Sequence, residues 1–240
     1  MVMKVILVLS LILLTITAGS CIKDDLTLPS EVSFIFELET DEGKKGDFDC
    51  DIEVKASPVS GIEEGTLIVN AIEFDGRRAA GRDVSFVSAF PKVVTADLIK
   101  RITDYPVDFD IPQGIYNSID ITLHLDTVGK VAFLVSGTVK SGPLSTVPFS
   151  FEYGFPDMIT VRARPVDGSD IVLRRDRPSV ARVKIDIGFM FRFVNPGSMA
   201  SADMTTIGGV DYVVINSENN IALFNQIAAR MTNAIKVTFE

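Results

Sequence analysis

Apolar and polar residues alternate with a period of two from residue 32 to the C-terminus, and this pattern constrains the fold more than any other feature. A period of two places every second side chain on the same face, as in a β-strand that covers a core on one side. Turn residues separate the runs, as at Asp75-Gly76, Asp167-Gly168 and Pro196-Gly197. The pattern predicts a mainly-β fold, an antiparallel β-sandwich with Greek-key connections.

Two segments depart from this alternation. Residues 95–102 have apolar positions at nearly helical spacing and predict a short helix or helical turn at one end of a sheet. Residues 217–232 predict a C-terminal helix that Ser217 can cap, because apolar residues recur there every three or four positions. The predicted strands cover residues 32–39, 49–56, 66–74, 107–111, 118–126, 130–139, 146–153, 159–164, 180–193, 211–215 and 235–239.

The chain is long enough for one large β domain or two small ones. The turns at Gly142-Pro143 and Gly154-Phe155-Pro156 bracket one strand and favour a boundary near it. We therefore predict a β-sandwich domain over residues 31–140 and a second, smaller β subdomain with the helix over residues 141–240.

Composition excludes some partners and allows a substantial core. Apolar residues make up 47% of the chain, and the formal net charge is −9. An acidic average surface disfavours nucleic acid and also disfavours peripheral binding to anionic lipid headgroups.

The N-terminus has the pattern of an export signal. Lys4 is followed by an apolar run over residues 5–16, which is shorter than the ~20 residues that span a membrane. The run closes at Ala18-Gly19-Ser20-Cys21, which resembles the bacterial lipobox. The resemblance implies a signal peptide over residues 1–20, removed by lipoprotein signal peptidase, and a mature chain whose Cys21 carries palmitate or another acyl group. The alternative is an ordinary signal peptide cleaved after Ser20, with Cys21 left as a thiol.

The residues after Cys21 bear on localisation. Lys23, Asp24 and Asp25 are similar to the Lys-acidic-acidic signal of Bacteroidota-type surface lipoproteins. The resemblance implies an outer-membrane, lipid-anchored protein displayed at the cell surface. The alternatives are a periplasm-facing protein and a segment over residues 21–30 that serves only as a solvated tether.

Cys50 is the only other cysteine. If Cys21 is acylated, no intramolecular disulfide can form, so stability must come from burial and hydrogen bonds. Cys50 alternates with Asp49 and Asp51 and falls on the apolar side of its predicted strand. We expect it to be buried and inert.

One stretch resembles a known family. Pro112, Gly114 and Tyr116, followed by the alternating residues 119–125, are similar to the strand–Pro-x-Gly-x-Tyr–strand core of an uncharacterised family of β-sandwich lipoprotein domains. The resemblance covers roughly residues 31–140. It implies a sandwich fold and an envelope location, and it supplies no catalytic residues.

Residues for catalysis are scarce. His124 is the only histidine, so one chain cannot build a His-based catalytic pair or a multi-histidine metal site. We expect its imidazole to face solvent near Asp126. There is no Gly-x-Ser-x-Gly motif, which disfavours a serine hydrolase. Asp108 and Asp110 could serve as paired carboxylates for glycoside hydrolysis, but their spacing gives no reason to prefer them.

An acidic row lies at the start of the second predicted strand and continues to Glu53. Asp47, Asp49 and Asp51 occupy alternate positions, so their carboxylates would point to one side about 6–7 Å apart. Weak calcium binding could relieve their repulsion, although the spacing is not that of an EF-hand. The alternative is a solvated strand face without a cofactor.

Positive charge gathers near residues 160–184. Arg174, Arg175 and Arg177 form its densest part and are the candidate docking residues for an acidic partner or for lipopolysaccharide phosphates. The alternative is a solvated sheet face with cross-strand ion pairs. The other arginines of this group are Arg162, Arg164 and Arg182.

These patterns favour a lipid-anchored cell-envelope protein, not an enzyme, with a binding or assembly role toward a protein or glycan partner. The alternative is a glycan-capturing or carbohydrate-active component of a nutrient-uptake system. The chain has no Trp, so that alternative needs exposed tyrosines grouped as a sugar-stacking platform. The tyrosines are Tyr105, Tyr116, Tyr153 and Tyr212.

Overall fold

The computed structural model describes residues 27–39, 58–127, 131–142, 144–166, 168 and 170–240. Several predicted features lie outside the described residues, namely the signal peptide, the predicted strand at 49–56 with Cys50, the lipidation residue Cys21, the export signal of Lys23, Asp24 and Asp25, and the acidic row of Asp47, Asp49 and Asp51.

Fifteen strands and four helices are present in the described part of the chain. The strands are β1 Pro29–Glu39, β2 Val59–Arg78, β3 Val84–Asp97, β4 Ile102–Thr103, β5 Asp108–Pro112, β6 Gly114–Leu125, β7 Phe133–Lys140, β8 Thr146–Tyr153, β9 Met158–Arg162, β10 Arg164–Pro165, β11 Ile171–Leu173, β12 Ser179–Asp186, β13 Thr205–Ile207, β14 Val210–Ile215 and β15 Ile235–Phe239. The helices are α1 Ile187–Phe191, α2 Pro196–Ala200, α3 Ile221–Ala228 and α4 Met231–Ala234.

The strands form two sheets. The small sheet has the order β10-β15-β12-β1-β5, and the large sheet has the order β11-β6-β2-β7-β8-β14-β13, with β3, β4 and β9 attached beside this path. Strand β2 is the longest, and it pairs with β7 over residues 59–67, with β6 over residues 69–78 and with β3 over residues 66–76. Strands from residues 31–140 and from residues 141–240 pair with each other in both sheets, as β1 does with β12 and β7 with β8.

One hydrophobic core lies between the sheets and extends under the helices. Phe34 of β1 meets Phe109 of β5 edge-on at 5.4 Å between ring centroids, and Phe149 of β8 meets Phe191 of α1 at 5.2 Å. Burial of each such ring stabilises the fold by roughly 1.5–3 kcal/mol relative to an exposed ring. The core confirms the predicted mainly-β sandwich with a C-terminal helix followed by a final strand.

The order of strands includes pairings that the alternation did not indicate. β1 runs parallel to β12, β8 parallel to β14, and β10 parallel to β15. Alternation places a side chain on a face but does not choose the direction of a neighbouring strand, because parallel and antiparallel strands share the same period.

Three predicted elements need correction. The helical segment at 95–102 is wrong in its first part: β3 continues to Asp97, and only residues 98–101 form a turn, because burial of Val94, Ala96 and Leu98 follows a strand period. The strand predicted over 180–193 ends at Asp186, whose carboxylate accepts a 2.8 Å hydrogen bond from the Phe189 N–H and starts α1. The C-terminal helix begins after Asn220, not at Ser217.

Candidate anion-docking site

The three candidate docking arginines lie on one tight turn between the two sheets. Residues 174–177, called the arginine turn from here on, follow β11 of the large sheet and lead into β12 of the small sheet. Arg174 and Arg177 form an isolated antiparallel bridge in which the Arg177 N–H donates to the Arg174 carbonyl at 3.3 Å. The turn therefore holds three guanidinium-bearing residues at one end of the sandwich.

Hydrogen bonds attach the arginine turn to two neighbouring segments. The Ser30 hydroxyl donates to the Arg174 carbonyl at 2.8 Å, and the Arg175 N–H donates to the side-chain oxygen of Gln113 at 3.2 Å. Gln113 in turn donates its backbone N–H to the carbonyl of Leu28 at 2.8 Å. The backbone of the turn is thus held by bonds that leave the arginine side chains available.

A cleft of about 480 Å³ opens beside the arginine turn. Its floor is apolar, because Ile171, Leu173 and Phe239 belong to the buried core. Arg174 and Arg177 line its mouth. The remaining lining residues are Pro165, Val166, Asp170, Val172, Ser179 and Glu240.

The arginine turn differs electrostatically from the rest of the basic region. No ion pair among the described residues includes Arg174, Arg175 or Arg177. Since all three residues are exposed, their charges face solvent. Guanidinium groups in this state can each form two parallel hydrogen bonds to a phosphate or carboxylate.

Two other arginines of the basic region are instead paired across strands. Arg162 donates to both carboxylate oxygens of Asp120, at 2.6 and 2.8 Å, and this hydrogen bonding raises the pKa of Arg162. Arg182 donates to Glu240 at 2.8 Å and lies 3.8 Å from a carboxylate oxygen of Glu37. The cross-strand ion pairs left open by the sequence therefore occur at Arg162 and Arg182, and docking at the arginine turn stays a prediction.

Apolar side chains surround the arginine turn on its solvent side. Val172 of β11 is directly opposite Ile115 of β6, and they are 42% and 46% exposed. Val166, at the edge of the cleft, is 63% exposed. These exposed residues, Ile115, Val166 and Val172, are called the apolar rim, and the sequence analysis did not predict it. The run Ile171-Val172-Leu173 signals part of it, because the middle side chain of three in a strand points to the opposite face from the other two.

Comparison of the chain with protein-family models, curated proteins and solved structures gives no match. Function therefore has to be argued from the residues themselves. None of the helices in the described residues is long and apolar enough to cross a membrane.

The single histidine has a different neighbour from the one expected. His124 Nε2 lies 3.6 Å from a carboxylate oxygen of Glu73, on the adjacent strand β2, and the imidazole is only 23% exposed. Asp126 instead accepts a 2.8 Å hydrogen bond from Asn70. The expectation of a solvent-facing imidazole near Asp126 was wrong because the register of β2 and β6 brings Glu73 within reach.

The tyrosines are dispersed over the fold. Tyr116 is 1% exposed, and its hydroxyl donates to the Pro112 carbonyl at 2.6 Å. Burial raises the pKa of Tyr116 to about 12. Tyr153 stacks on Phe224, whereas Tyr105 lies 5.8 Å below the Lys92 ammonium. These three residues do not form a shared sugar-stacking surface.

The paired carboxylates nominated from the sequence lie on the outer side of the small sheet. Asp108 and Asp110 are exposed at alternate positions of β5, opposite Ser33 and Glu31. Within the described residues, no group of three or more His, Cys, Asp or Glu side chains could hold a metal ion. The calcium hypothesis concerns the acidic row outside this part of the chain and stays a prediction.

Proposed function

We propose that the chain is a lipid-anchored protein of the cell envelope with a non-catalytic binding or assembly role, displayed at the cell surface. The lipobox resemblance at Cys21 and the export-signal resemblance at Lys23, Asp24 and Asp25 support the anchor and its location. The mainly-β body supports the role of a rigid module, because it presents loops and turns on paired strands.

The proposed binding role rests on the arginine turn. Arg174 and Arg177, which have no ion pair in the described residues, line a cleft with an apolar floor, and Arg175 is exposed between them on the same turn. Preorganised guanidinium groups beside apolar surface suit an anionic ligand group with an apolar neighbour.

Glycan capture has no such support. Its expected platform would need tyrosines exposed together, and Tyr116 is buried while Tyr153 packs against Phe224 and Phe155. We therefore propose binding of an anionic group as the primary role.

Labelling with a radioactive fatty acid tests the anchor. Wild type and Cys50→Ala should incorporate the label, and Cys21→Ala should not, because only Cys21 follows the lipobox. Equal incorporation in wild type and Cys21→Ala would contradict the lipid anchor. Protease treatment of intact cells should degrade the wild-type body if it is displayed outward, and full protection would contradict surface display.

Thermal melting with inorganic pyrophosphate tests the arginine turn. A ligand that binds only the folded state raises the melting temperature by mass action, so we expect a rise for wild type. The rise should vanish when Arg174, Arg175 and Arg177 are changed to Ser. The matched control changes Lys92, Lys100 and Lys140 to Ser, which removes the same charge from exposed positions that no hydrogen bond joins to the arginine turn. Equal shifts in both triple variants would refute a specific anion site.

A further inference from the structure

Residues 28–30 lie directly against the arginine turn. Leu28 accepts the Gln113 N–H, and Ser30 donates to the Arg174 carbonyl. The side-chain oxygen of Gln113 accepts the backbone N–H of Arg175. Residues 28–30, where the N-terminal segment joins the body, are therefore bonded to the arginine turn directly through Ser30 and indirectly through Gln113.

The length of chain before this point limits how far the turn can lie from the lipid. Cys21 precedes Ser30 by nine residues, and even a fully extended segment of that length spans only about 30 Å. An acyl group on Cys21 is buried in a membrane leaflet, so Cys21 itself must lie at the membrane surface. The arginine turn consequently lies within about 30 Å of the headgroup layer.

We propose that the arginine turn and its apolar rim rest on the headgroup phosphates of the leaflet that holds the Cys21 lipid. The inference rests on the proposed lipid anchor and identifies the anionic partner of the same site. It also sets the orientation of the sandwich on the membrane.

The chemistry of the surface matches a layer of lipid phosphates. Arg174, Arg175 and Arg177 can each form paired hydrogen bonds to phosphate oxygens. Val172 and Ile115 stand beside them, about half exposed, and apolar side chains of this kind can enter the region between headgroups. Many phosphates in one plane also suit several guanidinium groups on a single turn.

The acidic character of the whole chain does not oppose this contact. The turn contains three arginines and Asp176, and Asp170 lines the adjoining cleft, so the local charge of these five residues is +1 while the chain carries −9. Glu240, at the cleft, is bound by Arg182. Because salt screens charges beyond about 10 Å, a membrane in contact with the turn responds mainly to this local charge. The average charge of the chain disfavours anionic headgroups, whereas the clustered arginines that the sequence already shows near residue 175 favour them.

The orientation exposes the helical end of the molecule. β12 begins at Ser179 beside the arginine turn and ends at Asp186, where α1 starts, a rise of about 23 Å. With the turn on the membrane, α1 and the adjoining α2 point away from it. That end is the one available to a partner in the surrounding medium.

Tryptophan fluorescence in the acylated protein tests the orientation directly, because the chain has no Trp of its own. Val172→Trp should show a blue-shifted spectrum and quenching by lipids brominated near the headgroup. Ser198→Trp, in the exposed part of α2, should show neither. Equal quenching at both positions, or none at Val172→Trp, would overturn the proposed orientation.

Vesicle sedimentation tests the lipid contact separately from the lipid anchor. The unacylated Cys21→Ala protein should bind vesicles of mixed phosphatidylcholine and phosphatidylglycerol and should not bind phosphatidylcholine alone. Adding Arg174→Ser, Arg175→Ser and Arg177→Ser should weaken binding on the order of tenfold to a hundredfold, and high salt should abolish it. The Lys92, Lys100 and Lys140 control should bind like the parent protein.

The outcomes separate this inference from the function on which it rests. In one outcome only Cys21→Ala loses fatty-acid labelling, and both triple variants bind vesicles equally. The lipid anchor would then stand, and the membrane contact would be overturned. If pyrophosphate stabilises the protein through the three arginines but anionic vesicles do not bind, the turn serves an acidic protein partner and the membrane proposal is wrong.

Discussion

The hydroxyl of Ser30 donates a 2.8 Å hydrogen bond to the backbone carbonyl of Arg174, across 144 positions of sequence. This bond joins the first strand of the described chain to the turn that carries the candidate docking residues. It explains how a short surface turn keeps one geometry while its arginine side chains face solvent. Four predictions concern this bond and other contacts that support the fold.

Ser30→Ala should lower the free energy of unfolding by about 1–2 kcal/mol, because Ser30 is fully buried and its loss leaves the Arg174 carbonyl without this donor. Chemical denaturation measures the change. Ser33→Ala, on the partly exposed side of the same strand, is the control and should change stability by no more than about 0.5 kcal/mol. Similar losses at both positions would show that the Ser30 bond has no special role.

Asp186 combines two roles that substitution can separate. Its carboxylate caps α1 through the Phe189 N–H and also accepts a 3.0 Å bond from the Lys236 ammonium. Burial lowers the pKa of Lys236, but the bonds to Glu39 and Asp186 outweigh it and raise that pKa. Asp186→Asn can keep the cap, so it should destabilise the protein by less than Asp186→Ala, with about 1 kcal/mol between them. Thermal unfolding gives the order, and equal melting temperatures would contradict the capping role.

Gly137 lies where β7 passes very close to β2. A Cβ atom at this position would overlap the carbonyl oxygen of Gly61, a backbone atom that cannot move aside without breaking the sheet pairing. We expect Gly137→Ala to destabilise the protein by about 3 kcal/mol. A Cβ at Gly154 would meet no atom, so Gly154→Ala should be nearly neutral. A neutral Gly137→Ala variant would show that the two strands can separate locally.

Tyr116 should contribute to the loss of stability at high pH. Burial raises its pKa in the folded protein to about 12 from 10.0, so folding favours the protonated phenol. This contribution is complete below pH 10 and disappears as the pH rises through 12. Tyr116→Phe should cost about 1 kcal/mol at pH 8, through loss of the bond to Pro112, and the difference from wild type should shrink or reverse between pH 10 and 12.

Unfolding in urea at several pH values measures this difference. Tyr105→Phe is the control, because Tyr105 is partly exposed, and its difference from wild type should stay small at every pH. A Tyr116→Phe difference that does not change with pH would contradict the buried ionisation.

The alternation of residues was sufficient to locate most strands. The predicted strands at 146–153 and 235–239 coincide with β8 and β15, because each lies between clear turns or helix ends and has one buried face. β3 was missed, since residues 84–93 are partly exposed on both faces and Pro91 interrupts them. Local pattern cannot detect a strand whose stability comes from pairing with β2 rather than from a buried face.

The candidate site was only partly predictable. The concentration of arginines near residue 175 is plain in the sequence, but the same pattern contains Arg162 and Arg182, which are paired with acidic residues. Which arginines find partners depends on strand register, because Asp120 stands opposite Arg162 on β6. The role of Gln113, which links the arginine turn to Leu28, leaves no signal in residue spacing.

The sequence by itself determined the mainly-β class, the approximate strand positions, the C-terminal helix and the acidic overall charge, because these depend on local periodicity and composition. Only the tertiary structure decided which arginines have no ion pair among the described residues, how the apolar rim lies beside them and where the N-terminal segment meets the body. Those properties depend on contacts between residues far apart in the chain, such as Ser30 and Arg174, which form only once both sheets have assembled around one core.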